Sequence, residues 1–315
     1  MSLSRVAGGS DRASLWLALA PAVFVLLWST GFIGAKLGMP YATPLFFLAL
    51  RFAFASLLLV GWMLLRREPW PRGWRVYLDL AIVGTLLQTV YLGGVFVAID
   101  HGLEAGTSAL IVSLQPILVA AFAGLLLGER VRPLQWLGLV LGFAGAALVV
   151  YRKAGFSPEG LSGVGLCLLS LLAIAAAVLY QKRRLTAVPI LTGTALQFLF
   201  ATLAAGLGTL LLEPEAEVVW AWPLVIALVW LTLALSLGAI GLFLLMVRNG
   251  AASKVSSLFF LVPPCTAVMA WALFGETLGP LELAGMALAG LGVALVNRPA
   301  KGAQGPVGTA GPDPL

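Results

Sequence analysis

The sequence predicts an all-α integral membrane protein in which ten transmembrane helices form two inverted five-helix repeats. Three observations carry this expectation. Of the 315 residues, 61% are hydrophobic and only 10% charged. Soluble domains carry about 25% charged residues, so this chain cannot clothe a water-facing surface. Apolar runs of about 20 residues, the length of a bilayer-crossing helix, recur along it. Finally, the stretch 105–149 returns at 252–296 at a constant offset of 147 residues, with no gap. Pro116 answers to Pro263, Gly128-Glu129 to Gly275-Glu276, Pro133-Leu134 to Pro280-Leu281, Gly138 to Gly285 and Gly145 to Gly292.

The first run, 14–34, follows Arg5 and Arg12 and is uncharged from Ala13 to Ala35. A secretory signal has an apolar core of about 7–15 residues and a small-residue cleavage site. This run is longer and lacks that site, so it is expected to stay as the first helix. The second, 44–65, stops at Arg66-Arg67-Glu68-Pro69, and the third, 76–99, at His101-Gly102. The fourth, 105–127, and fifth, 133–151, flank Gly128-Glu129, and Lys153-Ala154-Gly155 follows the fifth. The sixth, 160–181, runs into Lys182-Arg183-Arg184; the seventh, 189–212, into Glu213-Pro214-Glu215; the eighth, 219–247, into Asn249-Gly250. The ninth, 251–274, and tenth, 281–296, flank Gly275-Glu276. All are apolar on every face, unlike barrel strands, which alternate over about ten residues.

The expected organisation is a cytoplasmic N-terminal segment, 1–13, a first five-helix repeat, 14–152, a second, 153–298, and a tail, 299–315. The tail is rich in Gly and Pro and is expected to be disordered and cytoplasmic.

Orientation follows from Lys and Arg. With the N-terminus inside, the outer segments hold only Lys36, Arg152 and Lys153, and Arg51 lies within a helix. Every other basic residue falls on the cytoplasmic side, so both termini are expected there. The net charge of +6 is thus a matter of membrane orientation rather than of nucleic-acid binding. Five helices per half, an odd number, turn the second copy upside down. Such halves are related by a pseudo-two-fold axis in the membrane plane, and the binding site of such folds lies where they meet.

Short motifs point the same way. The first helix reads Trp28-Ser29-Thr30-Gly31-Phe32 followed by Lys36, and the second holds Leu50-Arg51-Phe52. The block G-E-x(3)-P-L-x(3)-G occurs twice, at 128–138 and 275–285. In these features the chain resembles the drug/metabolite transporter superfamily, specifically its ten-helix EamA-type branch, from about Leu15 to Asn297. The resemblance implies a solute pathway between the halves, lined by the first, third, fourth, sixth, eighth and ninth helices. It also implies export of amino acids, related metabolites or drugs by alternating access; relatives exchange nucleotide sugars or sugar phosphates.

On those helices the candidate substrate-binding residues are Trp28, Ser29, Gln88, Tyr91, Ser113, Gln115, Tyr180, Ser236, Ser257 and Thr266. Aromatic surface and hydrogen-bonding groups outnumber charges, which suits a small amphipathic metabolite better than a polyphosphate. Buried hydroxyls and amides in lipid need partners, so some of the ten are expected to join helices instead. Arg51 lies about seven residues into its helix, roughly 10 Å deep. With Lys36 it is either an anion-attracting pair near the outer mouth or a brace for the fold. Pro116, Pro263 and Pro264 interrupt equivalent helices, where bends would serve a two-sided gate.

Asp79 follows Arg75 by four residues and is expected to pair with it on one helical face. Glu129 and Glu276 precede Pro133 and Pro280 and are expected to cap helix starts, with a gating role as the alternative. The first helix has no Asp or Glu, which argues against the embedded-Glu proton antiport of small multidrug exporters. Gly138, Gly142 and Gly145 mark a face for close helix packing or for a homodimer. His101 is expected in a solvated loop, and Cys167 and Cys265 as buried free thiols. No His/Cys/carboxylate cluster, phosphate-binding glycine loop or nucleophile–base set is legible, so neither a metal, a cofactor nor an enzyme is expected. A lipid flippase and a membrane-embedded enzyme are the competing classes.

Overall fold

The computed structural model describes residues 7–119, 122, 133–153, 158–239, 242, 259–277 and 279–296. Among them the structure is helical, with one isolated antiparallel bridge between Ala42 and Val218. The helices are α1 (Ala7–Gly38), α2 (Pro44–Leu65), α3 (Trp74–Asp100), α4 (Ala105–Val119) and α5 (Pro133–Lys153). They continue as α6 (Pro158–Arg184), α7 (Ile190–Leu212), α8 (Trp222–Ala239), α9 (Val262–Phe274) and α10 (Pro280–Val296). Among the described residues, 6 stretches, in α1, α2, α3, α6, α7 and α8, are long and apolar enough to cross a membrane. The remaining four helices contain shorter apolar segments.

Helix starts follow local chemistry. Thr43 is extended, with ψ 147°, and Pro44 opens α2 where a missing amide costs nothing. Pro223 and Pro263 occupy the same first-turn positions in α8 and α9. Gly275 ends α9 with φ 68°, a left-handed conformation that a side chain would disfavour.

Packing separates two faces of each helix. On α2, Phe47, Leu48, Phe52, Ala55, Leu59 and Met63 are buried at a spacing of three to four residues, while Leu57, Leu58, Leu64 and Leu65 are exposed. Phe47 meets Phe96 of α3 at 5.6 Å between ring centroids, and Phe52 meets Phe198 of α7 at 5.8 Å. The exposed leucines and tryptophans continue around the bundle, including Leu210, Trp222 and Trp271. An apolar surface of this extent suits lipid, not water.

Helix pairing has an internal symmetry. α2 packs on α7, α4 on α9 and α5 on α10; α1 packs on α8 as α3 packs on α6. Exchanging the first five helices with the second five maps this set of contacts onto itself. The irregularities match too. A π-helical turn spans Thr85–Val90 in α3 and another spans Leu231–Ala239 in α8. α4 breaks at Ser113–Leu114, just before Pro116, and a 3-10 turn, Phe259–Leu261, precedes Pro263.

α5 and α10 meet through glycine. Gly145 lies against the backbone of Gly285 and Ala289, and Gly292 against that of Gly138 and Gly142. A Cβ at either position would collide with main chain, which cannot yield as a side chain could. This glycine face is therefore occupied within the chain.

Two sequence expectations need correction. The eighth helix begins at Trp222, not at residue 219, because the preceding residues are engaged elsewhere. Val219 N–H donates to the Tyr41 carbonyl at 2.7 Å, and Thr43 N–H to that of Glu217 at 3.3 Å. Asp79 does not pair with Arg75: its Oδ1 accepts from the Tyr180 hydroxyl at 2.7 Å, while Arg75 stacks over Trp74 at 5.8 Å. Helical spacing brought Arg75 within reach, but a hydroxyl from α6 was better placed.

Candidate functional site

A narrow cleft lies where α1, α3, α4, α6 and α9 converge. Its walls are Trp28 and Phe32 of α1, Tyr91 of α3, Ala109, Val112, Ser113, Gln115 and Pro116 of α4, Ile174 of α6, and Phe259 and Val262 at the start of α9. Trp28 and Phe259 meet edge-to-face at 5.1 Å and 83°. Phe24 adds a third ring, 5.3 Å from Phe259 and 5.4 Å from Trp28. Such rings offer flat apolar area with few rotamers to freeze.

Polar groups are sparse. The Ser113 hydroxyl donates to the Leu110 carbonyl at 2.7 Å, leaving its oxygen free to accept. Gln115 is half-buried and makes no hydrogen bond among the described residues. Tyr91 is buried, with its edge on the cleft. An apolar pocket with a few convergent polar groups is the usual form of a small-molecule site.

Both halves build this wall alike. Pro116 has no amide for the Val112 carbonyl, and Pro263 none for that of Phe259. Val112 and Phe259 both line the cleft and correspond in the repeat. The breaks in α4 and before α9 therefore lie at the cavity. Pro263 is buried and Pro264 exposed, both in the first turn of α9.

The other candidates lie elsewhere. The Ser29 hydroxyl donates to the carbonyls of Val25 at 2.7 Å and Val262 at 3.3 Å, and Thr266 donates to that of Ser29 at 3.4 Å. These contacts sew α1 to α9. The Ser236 hydroxyl donates to Leu231 inside the π turn of α8 at 3.3 Å, and Gln88 is buried in the π turn of α3. Tyr180 holds Asp79. Ser257 and Glu129 lie outside the described residues. His101 is exposed and contacts Ser162 at 3.1 Å. Cys167 and Cys265 are free thiols, Cys167 buried and Cys265 half-buried.

The two proposed mouth cations have different surroundings. Lys36 Nζ lies 2.6 Å from Glu276 Oε1 and 5.0 Å from the centre of the Phe274 ring. Glu276 also accepts from the amides of Ala105 at 3.0 Å and Gly106 at 3.5 Å. It thus caps the N-terminus of α4, not that of the helix it precedes, and Gly275 makes the turn that sends it there. Glu213 does the same for α2, accepting from Leu45 at 2.8 Å and Phe46 at 3.0 Å. Arg51 is 5% exposed and its Nε has no hydrogen-bond partner.

Phe32, Ile174, Phe259 and Val262 carry no polar signal and were not singled out from sequence. Val262 had a pointer, as the repeat mate of the candidate Gln115. Nothing in the spacing marked Glu213 as the cap of α2.

Membrane-length apolar helices around an apolar, aromatic-walled cleft define an integral membrane protein. The comparisons with known proteins are specific about which kind. The EamA-like transporter family is matched twice, at residues 14–151 and 161–298, and the chain belongs to that family. It is 30% identical to the uncharacterized transporter YvbV of Bacillus subtilis (strain 168), over 90% of this chain and 92% of that protein. It is 26% identical to the uncharacterized inner membrane transporter YedA of Escherichia coli (strain K12), over 89% and 91%. A Salmonella typhimurium protein named "Probable amino-acid metabolite efflux pump" is 22% identical over 84% and 89%. A solved crystal structure shares the fold with a TM-score of 0.62 at 23% identity, covering 89% of this chain and 95% of that one.

Proposed function

We propose that the protein exports small organic solutes, such as amino acids or related amphipathic metabolites, by alternating access between two five-helix halves, 14–152 and 153–298, inserted with opposite polarity. Both termini then face the cytoplasm of a cell or inner membrane. The observation that carries the reading is the placement of the cleft between corresponding residues, Val112 and Phe259, of the two repeats. The exchange symmetry of the helix contacts supports it, as does the efflux pump among the relatives.

In this reading Trp28, Tyr91, Ser113 and Gln115 contact solute, and the remaining polar candidates hold helices in register. The breaks beside Pro116 and Pro263–Pro264 are the bending points. The Lys36–Glu276–α4 contact closes the outer side and parts when the cleft opens outward.

Counterflow in proteoliposomes tests the reading. Saturable exchange of a soluble metabolite, abolished by Trp28→Ala in normally inserted protein, is the expected result. Activity on labelled lipids alone would replace it with a flippase.

A further inference from the structure

The end of the bundle away from the Lys36–Glu276 contact carries a basic and aromatic face. From the end of α2 to the first turn of α3 the chain reads Arg66-Arg67-Glu68-Pro69-Trp70-Pro71-Arg72-Gly73-Trp74-Arg75. The four arginines are exposed, as are Trp70 at 49% and Trp74 at 71%. The connection is fixed to its neighbours, since the Pro69 carbonyl accepts from the Thr192 hydroxyl of α7 at 3.4 Å. The last turn of α6 joins the same face. Gly94 of α3 lies against Ser170, and Gly163 of α6 against Ala98 and Leu103, so the two helices run antiparallel. Tyr180 holds Asp79 between them; Arg75 precedes Asp79 by one turn and Arg184 follows Tyr180 by one turn. Arg183 and Arg184, both exposed, therefore emerge beside Arg75. None of these arginines forms an ion pair among the described residues.

Arg67 supplies a second, independent observation. Its φ is 53°, and among the described residues no other side-chain-bearing residue has a positive φ. Arg67 N–H donates to the Leu64 carbonyl at 3.0 Å and Glu68 N–H to that of Met63 at 3.1 Å. This is a helix C-terminal motif whose left-handed position is usually glycine. The left-handed residue that ends α9 is indeed Gly275. At the end of α2 the chain bears backbone strain to keep a guanidinium there. Directly inward of the charges the surface turns apolar: Trp62 lies one turn before Arg66 and Leu78 one turn after Trp74, both exposed.

We propose that this face binds an anionic phospholipid, with its headgroup phosphate among Arg67, Arg72, Arg75 and Arg184 and its acyl chains along Trp62 and Leu78. Guanidinium groups match phosphate oxygens two at a time. Tryptophans favour the headgroup level, and basic clusters beside a spanning helix attract anionic lipid. The apolar strip beneath the charges selects a lipid over a soluble phosphate. The inference is independent of which solute the protein carries.

The full-length protein in detergent is melted with added phosphatidylglycerol, phosphatidylcholine or inorganic phosphate. Phosphatidylglycerol is expected to raise the melting temperature saturably, and the other two to leave it unchanged. The pair Arg72→Gln and Arg75→Gln raises the half-saturating lipid fraction about thirtyfold, as loss of two surface charges predicts. The pair Arg152→Gln and Lys153→Gln removes the same charge from the end of α5, which lies beside the start of α10 at the other end of the bundle. It leaves the lipid response unchanged. Arg67→Gly separates binding from fold. It raises the melting temperature without lipid by relieving the left-handed backbone, yet weakens the phosphatidylglycerol response about fivefold. An equal response to phosphatidylcholine or to inorganic phosphate, equal weakening by the two pairs, or an unaltered lipid response in Arg67→Gly overturns the inference.

Discussion

Lys36 and Arg51 are cations on successive helices, and the chain surrounds them in opposite ways. Lys36, at the end of α1, is partly exposed yet has a carboxylate at 2.6 Å and an aromatic face beneath it. Arg51, deeper and almost fully buried, has neither a carboxylate nor a hydrogen bond to its Nε. Solvent could have screened Lys36 without help; Arg51 has the Phe52 ring, 5.9 Å from its guanidinium carbon. The difference separates a cation fastened to another helix by a carboxylate from one held on a buried helix face beside an aromatic ring. At that end of the bundle, Glu276 and Glu213 each satisfy orphan amides at the start of a helix from the opposite half.

The contrast can be broken most severely at the fastened end. Lys36→Glu places two carboxylates together beside α4 and should cost about 3 kcal/mol, the range for leaving a largely buried charge unpaired. A thermal melt in detergent that is unchanged would remove the latch from the account. Glu276→Gln keeps the shape but not the charge, and should cost about 1–2 kcal/mol as the ion pair and the charged cap are lost together. A double-mutant cycle with Lys36→Met divides the two contributions: the coupling energy reports the ion pair, and the residue reports the cap. Glu213→Gln lacks a described cation partner and should cost less, about 1 kcal/mol. The smallest effect is Tyr180→Phe, about 0.5–1 kcal/mol from one half-buried hydrogen bond to Asp79. A melt shift for Tyr180→Phe larger than that for Glu276→Gln would invert the ranking of the two regions.

The duplicated block made part of this legible in advance. A gapless repeat implies equivalent contacts, and the glycines of α5 and α10 do interlock as mates, Gly145 on Gly285 and Gly292 on Gly138. The same repeat located the proline breaks. What stayed hidden has a common cause. Helices apolar on all sides carry no amphipathic signal to say which face meets a cavity, so Trp28 and its neighbour Ser29 were indistinguishable by pattern. One lines the cleft and the other binds the Val262 carbonyl. Glu276 shows a second limit. Its position ahead of Pro280 suggested a local cap, while its carboxylate serves an amide 171 residues away. The π turns of α3 and α8 left no residue signature, although they fall at matching places in the repeat.

The central claim is that one cleft opens in turn to both sides of the membrane. Its most direct test is a single cysteine at Ser113→Cys, with Cys167 and Cys265 replaced by Ser, labelled by a membrane-impermeant thiol reagent in right-side-out and inside-out vesicles. The account predicts reaction from either side, with Glu276→Gln raising the rate from the outside. Reaction from one side only, unchanged by Glu276→Gln, would contradict it.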